Sequence, residues 1–441
     1  MILPMIIQQV LAISVSTINS VMIARAGEAA ISGILLVGSL DAVLVIAFSS
    51  LVTGGTVTIS HAVSHGNKSY ARECVKQLFY VSTGIALVIA VAVGIFREPM
   101  LNALYGSAEA SVLEHANDYL AVMVISFPFL AIYSSGVAVF RVMGNTVIAM
   151  WLSFGASVLN VVCNLLFIST LHMGAEGAAL STLIGRILSA VIITGLLCNR
   201  RNEIYLEKLF YYRPDWGVIK KMLRIGVPHG VESSMFEFGR LVTQVLISTL
   251  GTTVIAANSV ANTLASYLYL PSNAIDNAVI TVVGRCYGAR EMEQVKKYSR
   301  MLLLWAYICM WVVSGVLILF GKPIVGLYNL TETGTEIVLK LTVFHCICTS
   351  LIRPLGFTLP SVFKATGDVK FTMVVSTVSM WVVRIGLAYI LALENISILG
   401  MSIPGLGMGI MGVWVAMVID WGIRALLYSA RYVKGTWLKP I

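Results

Sequence analysis

Charge is what this chain has least of. Asp, Glu, Lys and Arg make up 12% of its 441 residues, about half the share of a soluble domain, and a soluble globular fold is excluded on that ground. Cysteine gives no covalent framework. The seven cysteines (Cys74, Cys163, Cys198, Cys286, Cys309, Cys346 and Cys348) are odd in number and sit mostly inside apolar runs. One residue separates Cys346 from Cys348, not the two of a metal knuckle. They read as small buried hydrophobes. No HExxH, no acids at metal spacing and no serine nucleophile elbow occur, so no feature supports an intramembrane enzyme. The first apolar stretch has no basic residues ahead of it and is interrupted by Gln8, Gln9 and Asn19. It reads as a first membrane span and not as a secretory leader.

What the chain does have is apolar length. Hydrophobic residues make up 58% of it, the mean hydropathy is +0.88, and runs of about twenty apolar residues, the length a bilayer core demands of a helix, recur throughout. The expected spans are 3–24, 32–60, 77–96, 118–142, 146–170, 176–198, 225–250, 254–284, 300–321, 334–362, 371–393 and 408–430. The net charge of +9 fits a membrane topology better than nucleic-acid binding. Lys and Arg gather in Ser64–Gln77, Asn199–Arg224, Arg285–Arg300, Lys364–Lys370 and Arg431–Lys439. The connection Arg97–Asp118 has one Arg against Glu98, Glu109, Glu114 and Asp118. Positive charge stays inside, so both termini are expected in the cytoplasm of a cell that carries the protein in its plasma or inner membrane.

The chain also repeats itself. FRVMGNTVIAM, from Phe140, answers FKATGDVKFTM, from Phe363, and MGAEGAAL, from Met173, answers MGIMGVWV, from Met408. The 23 residues from Pro4 to Gly27 return from Pro228 to Gly251, and TISHAVSHG, ending at Gly66, returns as TVVGRCYG, ending at Gly288. Four anchors keep their order at offsets of 222 to 235 residues, the signature of a duplicated unit. Six spans per copy is even, so the copies are parallel repeats related by an axis along the membrane normal. The expected fold is all-α and integral to the membrane, with twelve transmembrane helices in two six-helix bundles around a central cleft. An N-lobe (1–198), a cytoplasmic amphipathic linker (199–224) and a C-lobe (225–441) follow. The paired Gly-Asn and Gly-Asp turns suit a left-handed Gly followed by a capping Asn or Asp.

Ionisable groups inside a bilayer are costly and need a partner or a task. Span seven holds Glu232, Glu237 and Arg240, and helical spacing puts Ser233, Glu237, Arg240, Gln244 and Ser248 on one stripe. Such a stripe faces protein or water, not lipid. A carboxylate there binds a proton, a sodium ion or an organic cation, one at a time. An internal Glu237–Arg240 pair is the structural alternative. Asp276 follows Pro271 in span eight, and Asp41 in span two has only Ala265 opposite it in the second copy. Arg353 either pairs with Glu232 or Glu237 or biases the site towards zwitterions and anions. Asp420 and Arg424, four apart on span twelve, and Arg384 on span eleven read as structural pairing. Met235, Phe236, Tyr267 and Tyr269 are candidate walls of an adaptable substrate cleft, with ordinary helix packing as the alternative.

The stretches GVPHGVESSMFEFGR, LGTTVIAANSVAN, FKATGDVKFTM, MWVVRIG and AMVIDWGIRA, in that order, resemble the multidrug and toxic compound extrusion (MATE) transporters, in particular the branch common in anaerobic Gram-positive bacteria. The resemblance covers essentially the whole chain. It implies a monomeric exporter of small organic, often cationic, compounds, driven by Na⁺ or H⁺ entry without other cofactors. It also implies an essential acid in span seven, matched here by Glu237, with Glu232 in the G-V-E motif of this branch. The N-lobe departs from the family. Asn19 stands where many relatives carry an Asp. Asn160 and Asn164 keep a four-residue spacing but no carboxylate, and Thr182 matches a nearby polar position. Asn offers a carbonyl oxygen and no titration, so coupling is expected to run through C-lobe acids. Related architectures give the alternatives: a narrow-specificity metabolite exporter or a flippase for lipid-linked substrates.

Overall fold

The computed structural model describes residues 3–10, 28–105, 109–171, 173–206, 213–326, 328, 330–398 and 401–438. They form two compact units, Met1–Gly230 and Val231–Ile441.

In the N-terminal unit, residues 3–10 form α1, the described part of the first expected span. It is followed by α2 (Glu28–Ser64), α3 (Lys68–Tyr105), α4 (Ala110–Val142), α5 (Thr146–Asn164, continued by a π-helical turn, Leu165–Thr170) and α6 (Gly174–Leu197). The next helix, α7 (Trp216–Ser248), begins in this unit. It starts nine residues before the expected span, so the Lys- and Arg-rich end of the expected linker is helical and continuous with span seven. The core is built from Phe48, Leu120, Phe127 and Ala131 at one end, and from Leu78, Phe140, Ile193 and Met222 at the other. One contact in it depends on missing side chains. A Cβ on Gly54 of α2 would strike the carbonyl oxygen of Met222, and one on Gly226 of α7 would come 3.1 Å from the carbonyl oxygen of Ser50. Small residues let membrane helices approach backbone to backbone in this way.

In the C-terminal unit the remainder of α7 leads to α8 (Thr252–Gly288) and α9 (Met292–Gly326). A long rod, α10 (Glu332–Ala365), contains a π-helical stretch at Pro354–Thr358, and α11 (Val369–Ala392) contains one at Ser379–Ile385. After α11 comes a hairpin that the sequence reading did not anticipate. Here β1 (Asn395–Ile398) pairs antiparallel with β2 (Met401–Pro404), Asn395 opposite Pro404. The last helix is α12 (Gly409–Lys434). The core centres on Leu268, Met310, Trp414 and Trp421.

Among the described residues nine helices are long and apolar enough to cross a membrane. The two long helices outside that set are α7 and α8, which carry Glu232, Glu237 and Arg240, and Asn258, Asn262 and Asp276. Outward faces elsewhere are apolar, with Val88 70% and Leu319 78% exposed, as lipid contact requires.

The repeat is visible in the backbone of each unit. Gly144 and Gly367 have φ of +85° and +84°, and Gly174 and Gly409 have +59° and +58°. Asn145 caps α5 by accepting from the Ile148 amide. Asp368 does not repeat this: it makes no side-chain cap, because Arg431 takes its carboxylate at 2.6 Å. The Gly66 turn (φ +71°) has its left-handed counterpart at Arg290 (φ +63°) and not at Gly288.

Candidate functional site

In the C-terminal unit α7 carries its polar stripe into a cavity of about 190 Å³. Glu237, Arg240 and Gln244 line it from α7, Asn258 and Asn262 from α8, Arg384 from α11, and Trp414 and Met417 from α12. Glu237 and Arg240 form the three-apart pair, with Arg240 Nη1 donating to both carboxylate oxygens at 3.2 and 3.1 Å. Their side chains are 38% and 55% exposed, so solvent or a small ion reaches the pair. The helices lie close here because α7 has no side chain between those residues: a Cβ on Gly239 would collide with Met380 of α11.

Glu232 is on the same helix but in a different environment. Lys364 Nζ lies 3.1 Å from its Oε2, Ser376 Oγ donates to Oε1 at 3.1 Å, and Thr372 Oγ1 donates to Oε2 at 3.4 Å. Tyr428 closes the cage 2.8 Å from Ser376 Oγ. The expected pairing of Arg353 with Glu232 or Glu237 does not occur, because Lys364 and Arg240 already neutralise those acids. Arg353 instead donates to Asn273 Oδ1 at 2.9 Å, and its Cζ lies over the rings of Tyr269 and Phe357, 4.2 and 4.4 Å from their centroids. Cation–π attraction to the two ring faces compensates part of the cost of burying the guanidinium. Asp276 lies within electrostatic reach of Arg353 and Lys364, and its Oδ1 is buried without a hydrogen bond among the described residues.

Tyr269 donates to or accepts from His345 Nε2 at 2.5 Å. His345 is 1% exposed and packs edge-on against Trp414, 4.8 Å between centroids, and Trp421. The sequence reading missed this residue, whose only signal is a lone His in an apolar run. Phe236 packs edge-on against Phe357. Met235 and Tyr267 are half-buried and do not line the cavity. Asp420 and Arg424 form a buried pair, Arg424 Nε donating to Oδ1 and Nη2 lying 2.9 Å from Oδ2, with Ser379 also donating to Asp420 Oδ1. Arg384, expected in the same structural pairing, stays within electrostatic reach of Asp420 and makes no salt bridge with it.

In the N-terminal unit Asp41 is held by Arg186, a residue the sequence reading passed over. Arg186 Nη2 donates to Asp41 Oδ2 at 3.0 Å, and its Nη1 donates to Ser126 Oγ at 2.7 Å. A cavity of about 300 Å³ is lined by Tyr133, Ser153, Ser157, Asn160, Thr182 and Arg186, among others. Gln8 donates to Ser153 at 2.8 Å and accepts from Arg141 at 3.0 Å. Asn164 is 2% exposed and donates to Asn160 Oδ1 at 3.3 Å. The Thr182 hydroxyl donates to its own helix at the Ala178 carbonyl. Asn19 lies outside the described residues. No group of three His, Cys, Asp or Glu side chains able to hold a metal occurs among the described residues.

Polar helices with buried ion pairs, set in a multi-pass apolar bundle that carries an internal repeat, define an integral membrane protein with a duplicated helical unit. Comparison gives the family. One family model, MatE, matches residues 4–166 and again 228–390, and the chain belongs to the MatE family, whose members are transporters and not enzymes. The same model matching both halves at an offset of 224 residues is independent support for the duplication. Similar proteins include the "Uncharacterized transporter YisQ" of Bacillus subtilis, 23% identical over 99% of this chain and 93% of its own length. Another is the "Probable multidrug resistance protein NorM" of Thermotoga maritima, 25% identical over 93% and 86%. An outward-facing multidrug resistance MATE transporter superposes with a TM-score of 0.88 at 19% identity, over 99% of this chain and 95% of that one. A MOP superfamily transporter from Pyrococcus furiosus, described as having reversed polarity in its binding pocket, gives 0.87 at 19% identity over 100% and 95%. The fold is therefore that of the solved MATE transporters.

Proposed function

We propose that the protein exports small organic amphipathic molecules by alternating access, driven by entry of a monovalent cation, Na⁺ or H⁺, that competes with Arg240 for Glu237. The observation that carries this reading is the Glu237–Arg240 pair, half-open and lining the C-terminal cavity. A pair exposed to this degree contributes little to stability, about 0–1 kcal/mol, so its partners exchange at low cost. A cation that takes the carboxylate releases the guanidinium, and binding at one group changes what the cavity offers to a second ligand. That reciprocal dependence is the thermodynamic content of antiport.

Glu232 belongs to the machinery as a positioning residue, since its cage ties α7 to α10 and α11. Asp276, whose buried Oδ1 has no hydrogen-bond partner among the described residues, is a second proton carrier in this reading. The N-lobe cavity, with Asn160, Thr182 and Arg186 at its wall, has no acid among the described residues that line it. Both termini and the 199–224 linker lie on the cytoplasmic side, and the working unit is the monomer.

Efflux from reconstituted vesicles under separate Na⁺ and pH gradients tests the proposal. One of the gradients should accelerate efflux of an amphipathic dye, and Glu237→Gln should remove that acceleration. Efflux indifferent to both gradients, or equally coupled in Glu237→Gln, would sink it.

A further inference from the structure

Gln8 stands in the first copy where Glu232 stands in the second. Each lies four residues after the proline that opens its repeat, Pro4 or Pro228. Their neighbours are equivalent as well. Arg141 and Lys364 each follow the phenylalanine of the paired turns, Phe140 or Phe363, and Ser153 and Ser376 each lie thirteen residues beyond it. The fold brings both sets of three together. Arg141 Nη2 donates to Gln8 Oε1 at 3.0 Å, and Gln8 Nε2 donates to Ser153 Oγ at 2.8 Å. In the second copy Lys364 Nζ lies 3.1 Å from Glu232 Oε2, and Ser376 Oγ donates to Oε1 at 3.1 Å. A tyrosine hydroxyl completes each clasp at the serine, Tyr133 at 2.7 Å and Tyr428 at 2.8 Å. The two tyrosines come from non-equivalent helices, α4 and α12, yet they reach the same atom of the clasp.

The first helix of each repeat is thus tied to the fourth and the fifth. Base and acceptor differ together between the copies, Arg with Gln and Lys with Glu, while the contact is kept. The N-terminal clasp carries a net positive charge and the C-terminal one none, so the copies share a geometry and not a charge balance. Arg141 depends on Gln8. Its Nε is buried without a partner, and Gln8 Oε1 is the one side-chain acceptor it reaches among the described residues. Losing that acceptor strands a guanidinium that water does not serve.

We propose that Gln8 is a positioning residue for transport: through Arg141 and Ser153 it fixes α1 on α4 and α5, as Glu232 fixes α7 on α10 and α11, so that the first helix of the copy moves with its bundle. The inference rests on the exporter reading above and adds a residue to it. Gln8 lines neither the C-terminal nor the N-terminal cavity, so loss of the clasp slows the conformational step and leaves binding intact.

Hydrogen exchange in the peptide that carries residues 3–10 of the purified full-length protein reads the anchoring, and gradient-driven dye efflux from vesicles reads transport. Gln8→Leu breaks both bonds and should speed exchange there about tenfold, the equivalent of one charge-assisted hydrogen bond. Efflux turnover should fall about tenfold while dye affinity stays within about twofold. Gln8→Glu/Arg141→Lys transplants the C-terminal clasp and should restore slow exchange and at least about half of wild-type turnover. If Gln8→Leu does not fold, Gln8→Leu/Arg141→Leu removes both partners and should show the same losses. Exchange unchanged in whichever clasp-less variant folds, turnover unchanged despite faster exchange, dye affinity falling in step with turnover, or a transplant as impaired as the clasp-less variant would overturn the proposal. Wild-type protein that moves no dye under either gradient would instead count against the exporter reading. Faster exchange in the clasp-less variant would then still support the anchoring of α1, and unchanged exchange would still overturn it.

Discussion

Lys364, not Arg353, neutralises Glu232. Its Nζ lies 3.1 Å from the carboxylate, and the two side chains are only 10% and 13% exposed. Glu237, one and a half turns further along α7, faces an open cavity beside Arg240. Two glutamates of one helix therefore have different physics, and mutation should separate them.

At Glu232, removing one member of the pair leaves a nearly buried charge alone. Lys364→Met should destabilise the protein by about 3 kcal/mol. The double variant Glu232→Gln/Lys364→Met should recover most of that loss. A double-mutant cycle from thermal unfolding in detergent measures the coupling. Independent, additive losses would contradict the pairing.

At Glu237 the opposite pattern is expected. Glu237→Gln should change stability by less than about 1 kcal/mol, as for exposed ion pairs generally. Its ion-driven efflux should nonetheless fall at least to about a tenth of wild type. A large drop in Tm with efflux per folded molecule unchanged would reverse the roles assigned to the two acids.

Asp41 and Arg186 form the equivalent test in the N-terminal unit. Their side chains are 21% and 16% exposed, so Arg186→Met should cost about 3 kcal/mol by stranding Asp41. Adding Asp41→Asn should restore part of it. Neither change should alter which ion drives efflux, and a switch in ion dependence would place Asp41 in the coupling machinery.

The backbone of the repeat gives a fourth prediction. Arg290 has φ +63° where the first copy uses Gly66 at φ +71°. A left-handed conformation costs a non-glycine residue roughly 1–2 kcal/mol. Arg290→Gly should therefore raise stability by about 1 kcal/mol, and Gly66→Ala should lower it by a similar amount. Unfolding temperatures of the two variants moving in the same direction would contradict this.

The helices and the duplication were legible in the sequence because both are written in local patterns. Apolar runs set the spans, and the turn pairs at Gly144/Gly367 and Gly174/Gly409 return with nearly identical φ. The Glu237–Arg240 and Asp420–Arg424 pairs were legible too, since their spacing is helical. Partners distant in sequence were not. Nothing in the order of residues says that Lys364 and not Arg353 reaches Glu232, or that Arg186 reaches Asp41 across 145 positions. The early start of α7 was hidden because its first turns are charged, and hydropathy finds only the part of a helix that meets lipid. The β-hairpin at Asn395–Pro404 was hidden because each of its strands is four residues long, too short for alternation to register. That Arg384 Nε and Nη1 lack hydrogen-bond partners among the described residues was out of reach, because it depends on how residues distant in sequence pack around them.

The competition at Glu237 can be measured most directly by loading the purified protein with a fluorescent amphipath and raising Na⁺ or proton concentration at constant ionic strength. The account predicts that the effective ion displaces the dye from wild type and from Asn164→Ala alike, and fails to displace it from Glu237→Gln. Displacement that persists in Glu237→Gln and disappears in Asn164→Ala would move the coupling site to the N-terminal unit and contradict the account.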